Sequence, residues 1–151
     1  MKISKHLKKE YCAVDIKAST KEDAIREIVR GMAAAGEVED TEKFIKSVLR
    51  RERMGSTGIG YGVAIPHART ESVRGFVIGF GRSKEGIDFS AIDGEKARLI
   101  FVMGANPREL NLYLRLLAEL AKLLIDSSFR KELLSAATCE DVIAIVRTHE
   151  A

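Results

Sequence analysis

The residues that invite a chemical reading lie together in GSTGIGYGVAIPHA, positions 55–68. The run delivers Gly55, Gly58, Gly60 and Gly62, the hydroxyls of Ser56 and Thr57, and a lone His67 behind Pro66, with Arg51 just upstream. Glycines let other groups approach the backbone closely, and such a loop can aim several N–H groups at an anion. No lysine follows them as a Walker loop requires, and the spacing is wrong for a dinucleotide fingerprint, so two readings stand: an anion-binding loop, or a simple bend between helix and strand. Pro66 fixes its own φ and has no N–H, which sets His67 on stiff backbone at the end of a strand. A neutral imidazole offers one lone pair as a nucleophile. If it took a phosphoryl group, Arg51 and the nearby hydroxyls would stabilise the oxygens. No metal-ligand spacing and no serine triad competes with this, so neither metal nor cofactor is expected. Arg69 is read as a rim residue or half of an exposed salt bridge. His6, in a charged segment, and His149, near the C-terminus, are expected to be solvated.

The flanking patterns give the elements that must position these groups. MKISKHLKKE suggests a short amphipathic helix or arm, and YCAVDI a short strand. A helix follows, with Ser19 as N-cap, Glu22 as capping-box partner, a buried face of Ala24, Ile25, Ile28, Val29 and Met32, and Gly36 as its stop. A second helix, capped by Asp40 or Thr41, buries Phe44, Ile45, Val48 and Leu49 and ends among Arg50, Arg51 and Arg53, where cations suit the helix dipole. GVAIPH, GFVIGFG, IDFS and ARLIFVMGA read as strands, the last continuously apolar as a central strand would be. PRELNLYLRLLAELAKLLID is a long helix with a core face of Leu116, Leu117, Leu120, Leu123 and Leu124. Two shorter helices follow, capped by Ser127 or Ser128 and by Thr138. This order implies an α/β fold: one domain over 1–151, with a central mixed sheet and helices on both faces.

Bulk properties narrow the function. The chain has 151 residues, 46% hydrophobic and 31% charged, an ordinary globular mix. A net charge of +3, with both signs interleaved, argues against a nucleic-acid binder. Cys12 and Cys139 are far apart in sequence and form neither a metal spacing nor a disulfide framework, which fits a reducing compartment. There is no secretory signal pattern and no apolar run long enough to span a bilayer, so the expectation is a cytoplasmic protein without membrane insertion.

RERMGSTGIGYGVAIPHA, residues 51–68, resembles the signature of the mannitol/fructose-type EIIA domain of the bacterial phosphotransferase system, including its nitrogen-regulatory relatives. The flanking elements follow the family's order, so the resemblance covers nearly the whole chain. It implies that His67 accepts a phosphoryl group from phospho-HPr or a paralogue and passes it to an EIIB domain. It places the family's arginine at Arg51 and its threonine at Thr57, with Ser56 and Gly58 as further candidates for lining the site, a shallow surface depression. The rival reading is a regulatory protein whose phosphorylation state controls binding of a target. One position departs from the family. A second histidine is usual early in the long helix, and Tyr113 stands there, either lining the site or packed as a core aromatic.

Overall fold

The computed structural model describes residues 2–151. Six strands form one sheet: β1 (Cys12–Ala13), β2 (Gly58–Gly60), β3 (Val63–Ala64), β4 (His67–Arg69), β5 (Phe76–Ile87) and β6 (Ala97–Ala105). The order is β1-β5-β6-β3-β2, with β4 also paired to β6. β5 and β6 are antiparallel, whereas β3 and β4 both run parallel to β6, so the sheet is mixed. β6 reads as a continuous apolar run because both its faces are covered. Ile100 and Val102 join one core cluster, and Leu99, Phe101 and Met103 join the other.

Five helices cover those faces: α1 (Lys21–Met32), α2 (Thr41–Met54), α3 (Leu110–Ile125), α4 (Ser127–Ser135) and α5 (Cys139–Glu150). α1 and α2 pack on one face, and α3, α4 and α5 on the other, as the element order implies. The stripes of α1 and α2 bury the residues their periodicity selects. On the α1/α2 side the strands present glycine. A Cβ at Gly79 or Gly81 would collide with Met32 or Ile28, and one at Gly104 with the Phe44 ring. These glycines are there for close approach of the helices, which sets how near α2 lies to the sheet. No described helix is long and apolar enough to cross a membrane.

Several local expectations differ from the structure. Thr20, not Ser19, caps α1 through the Asp23 N–H at 3.2 Å. Asp126, not Ser127 or Ser128, caps α4, while Thr138 caps α5 with Asp141 in a capping box. The N-terminal segment is two 3₁₀ turns, Ile3–Lys5 and Lys9–Tyr11, and YCAVDI keeps only Cys12–Ala13 as strand. β5 runs on through Ile87, and 88–90 is not strand. GVAIPH splits into β3 and β4 at Ile65–Pro66, where proline cannot donate to a ladder. Leu117 and Leu123 are only half-buried, and Tyr113 joins Leu116, Leu120 and Leu124 on α3's buried stripe. Cys12 and Cys139 meet in space as free thiols, with Cys139 Sγ donating to the Cys12 carbonyl at 3.0 Å.

The glycine contacts yield a stability test. Gly104→Ala should cost about 1–3 kcal/mol, the usual penalty for overpacking a closed core. Urea unfolding would measure it, and an unchanged midpoint would mean that Phe44 can turn away freely.

Candidate active site

The turn of chain that presents His67 begins at the end of α2. Gly55 caps that helix, and residues 58–64 fold back as the β2–β3 hairpin. Its tip holds Gly60, Tyr61 and Gly62 at φ of 89°, 59° and 77°. Two of these three left-handed positions are glycine, as the sterics favour, so the second half of the glycine run builds a tight turn rather than an anion nest. The amides nearby are already committed. Thr57 N–H donates to Glu52, Gly58 N–H to Ser56 Oγ and Tyr61 N–H to Asp93.

After the hairpin, the Ile65 N–H donates to the Thr57 carbonyl at 3.0 Å and the Met103 N–H to the Pro66 carbonyl at 2.9 Å. The Ile65 carbonyl points to the same side as its N–H, away from β6, and beyond Thr57 no strand lies opposite to claim it. His67 Nδ1 lies 2.7 Å from it. A carbonyl only accepts, so Nδ1 carries the proton and the neutral ring presents its lone pair at Nε2. Burial holds the His67 imidazole below its ordinary pKa, and the Arg51 guanidinium pushes the same way; the Ile65 bond and Glu52 oppose them. The neutral, nucleophilic form therefore prevails at neutral pH.

His67 lies in an open depression of about 780 Å³. Its cations are Arg50, Arg51 and Arg69, and no carboxylate is among its lining residues. Arg51 is half-buried and donates from Nη1 to the Gly55 carbonyl at 2.8 Å, while Arg50 and Arg69 are exposed. Among the described residues Arg69 forms no ion pair. Tyr113 is buried yet lines the same depression, its ring centroid 5.9 Å from that of His67. The two readings of Tyr113 are thus compatible: the residue belongs to the buried stripe of α3 and also lines the depression. Burial raises the Tyr113 hydroxyl's pKa, and the nearby Arg69 and Arg51 charges pull it back. Met54, Leu110 and Leu114 add an exposed apolar rim.

Three expected residues lie elsewhere. Thr57 is buried, and its hydroxyl donates to Glu52 Oε1 at 2.5 Å. Ser56 donates to the Phe89 carbonyl. Gly58 packs against Phe89 and Ala91, where a Cβ would crowd both. None of the three lines the depression. The other histidines are not solvated either. His6 packs edge-on against Phe76 with a buried, unpartnered Nε2, and His149 has a side chain only 17% exposed and paired with Glu132. Sequence reasoning passed over Ser47, Arg50 and Met54, yet with Arg51 they fall at i, i+3, i+4 and i+7, one face of α2. Leu110, Tyr113 and Leu114 repeat that spacing on α3.

Comparison with known proteins agrees with this fold. The family described as "Phosphoenolpyruvate-dependent sugar phosphotransferase system, EIIA 2" matches residues 5–149. The fructose-specific EIIABC component of the phosphotransferase system of Bacillus subtilis is 39% identical over 150 residues, 99% of this chain. The chain spans only 24% of that relative's length. Among solved structures, the nitrogen regulatory protein IIA-Ntr from Neisseria meningitidis superposes with a TM-score of 0.89 at 28% identity, over 95% of this chain and 98% of that one. Escherichia coli mannitol IIA, solved in complex with phosphorylated mannitol IIB, gives a TM-score of 0.79 at 25% identity, over 94% of this chain and 99% of that one. With nearly its full length matched and the same fold throughout, the chain belongs to the EIIA 2 family of the phosphoenolpyruvate-dependent sugar phosphotransferase system.

Proposed function

We propose that this chain is a phosphoryl carrier whose acceptor is Nε2 of His67. The observation that carries the reading is the bond from His67 Nδ1 to the Ile65 carbonyl, which leaves Nε2 unprotonated toward an arginine-lined depression. The Nε2 lone pair forms a bond to phosphorus as the donor's P–N bond breaks. The electron pair leaves with the donor's imidazole, which takes up a proton from solvent. While Nε2 carries the phosphoryl group, the N–H at Nδ1 remains on the Ile65 carbonyl, which stabilises the positive charge drawn onto the ring.

The oxygens of the transferring group need cations. A charge-assisted hydrogen bond contributes about 1.5–3 kcal/mol when sheltered, but exposed ion pairs contribute about 0–1 kcal/mol. Half-buried Arg51 therefore dominates over exposed Arg50 and Arg69. Arg51 holds the Gly55 carbonyl through Nη1 alone, so its guanidinium has further N–H groups for the phosphoryl oxygens. The Tyr113 hydroxyl supplies one further donor where the family usually has an imidazole. The donor protein is an HPr-like phosphohistidine carrier and the recipient an EIIB domain; the recipient is supported by the complex solved for the mannitol relative with its phosphorylated IIB. Both partners seat on the apolar rim of Met54, Leu110 and Leu114, and the exchange takes place in the cytoplasm.

A regulatory reading uses the same chemistry with a different recipient. It is favoured by the close superposition on a nitrogen regulatory protein. In that case phospho-His67 changes the charge of the depression and with it the binding of a target protein.

The test is labelling. A phosphoenolpyruvate-driven donor system should add one acid-labile phosphoryl group per chain, and His67→Ala should take none. Label that persists in that variant, or maps to His6 or His149, would refute the assignment. For Tyr113→Phe the ring and its packing stay, so the melting temperature should hold. Loss of one hydrogen bond, about 1 kcal/mol, should slow transfer or shorten the life of phospho-His67 severalfold. Unchanged transfer kinetics would reduce Tyr113 to a wall residue.

A further inference from the structure

Glu52 is the acidic member of the Arg-Glu pair that precedes the glycine run, and its side chain is only 4% exposed at the end of α2. A carboxylate buried so deeply is costly unless its oxygens are satisfied. Here they are. Oε2 accepts the Thr57 N–H at 2.9 Å and lies 3.4 Å from Lys21 Nζ, and Oε1 accepts the Thr57 hydroxyl at 2.5 Å. The connection continues. The Thr57 carbonyl accepts the Ile65 N–H, and the Ile65 carbonyl accepts His67 Nδ1. One hydrogen-bonded path therefore runs from the helical turn that carries Arg51 to the imidazole.

We propose that Glu52 is a positioning residue: its carboxylate clamps the end of α2 to Thr57 and so holds Arg51 and His67 in register for transfer. The inference rests on the phosphoryl-carrier reading above. Arg51 itself ties the same segment through one guanidinium N–H on the Gly55 carbonyl. Among the described residues the end of α2 is also tied to this segment by the Gly55 N–H on the Glu52 carbonyl, at 3.2 Å, and by the two Glu52–Thr57 bonds, and only the last reach beyond Gly55 toward the hairpin. Without the carboxylate the hairpin would shift relative to Arg51, and the spacing to Nε2 would be lost. Thr57 acts through Glu52 rather than on the phosphoryl group. The carboxylate also faces the electrostatics of the depression from inside: it raises the proton affinity of His67, against Arg51, while Lys21 offsets part of its charge.

The experiment compares full-length wild type, Glu52→Gln, Thr57→Val and Thr57→Ser. Each is charged by a phosphohistidine carrier protein primed with phosphoenolpyruvate, and His67 is titrated by NMR in the unphosphorylated protein. Glu52→Gln keeps the volume but removes the charge and one acceptor. It should slow transfer at least about tenfold, the consequence of losing one buried charge-assisted contact. The His67 midpoint should move down, because the group that raises it is gone. Thr57→Val should slow transfer, and Thr57→Ser, which keeps the hydroxyl, should restore it. A folded Glu52→Gln protein with wild-type transfer and an unmoved His67 midpoint would overturn the proposal. If Glu52→Gln does not fold, equal transfer by Thr57→Val and Thr57→Ser would overturn it instead. A wild type that accepts no phosphoryl group would sink the carrier reading alone, since the titration still decides whether Glu52 acts on His67.

Discussion

A single hydrogen bond, from Nδ1 of His67 to the carbonyl of Ile65, is the constraint around which the site is built. It fixes the tautomer, aims the ring and leaves Nε2 as the only basic position. The bond requires a backbone carbonyl that no strand partner has claimed. The Ile65 carbonyl meets that need because it points, like the Ile65 N–H, toward the β2–β3 hairpin and away from β6, and beyond Thr57 no strand lies opposite it. The pairing with β6 runs on past the proline in one register, with Ala64 opposite Ile100 and His67 opposite Met103, and the Pro66 carbonyl accepts the Met103 N–H.

The remaining elements set what surrounds Nε2. The glycines of β5 and β6 let α1 and α2 sit close to the sheet, and that closeness carries the C-terminal end of α2, with Arg51, to the rim of β4. On the opposite face bulky residues fill the space, and α3 reaches the depression only at its first turns, through Leu110, Tyr113 and Leu114. The electrostatics follow from this packing. Arginines converge where no carboxylate lines the wall, and the imidazole is kept neutral mainly by burial. Among the described residues the arginines of the site have no acidic partner, and Arg51 bonds only the Gly55 carbonyl, an arrangement that gains most when an anion arrives.

Much of this was legible in the sequence, for identifiable reasons. His67 and Arg51 stood out because a long ungapped signature surrounds them. The stripes of α1 and α2 were legible because one face of each meets a flat core. Thr57 was misjudged because a hydroxyl's direction depends on its buried partner, and nothing local announces that Glu52 turns inward. The caps Ser19 and Ser127 lost to Thr20 and Asp126 by single positions, within the latitude of helix ends. His6 and His149 looked like surface residues because each sits near a chain end. Both ends fold back onto the domain, as Ser4 on Glu150 and the buried Ile3 and Leu7 attest. Such long-range closure leaves no periodic trace. Arg50 and Met54 did have a local signal, their shared helix face with Arg51, but an exposed face next to a buried stripe usually means only solvent.

The most direct test of the account concerns which nitrogen carries the phosphoryl group. Nitrogen-15 NMR of the imidazole in the phosphorylated protein, with long-range correlations to the ring protons, distinguishes the two. The account predicts phosphorus on Nε2 of His67, with Nδ1 still protonated and its hydrogen slow to exchange. Phosphorus on Nδ1, or an Nδ1 without its proton in the unmodified protein, would contradict it.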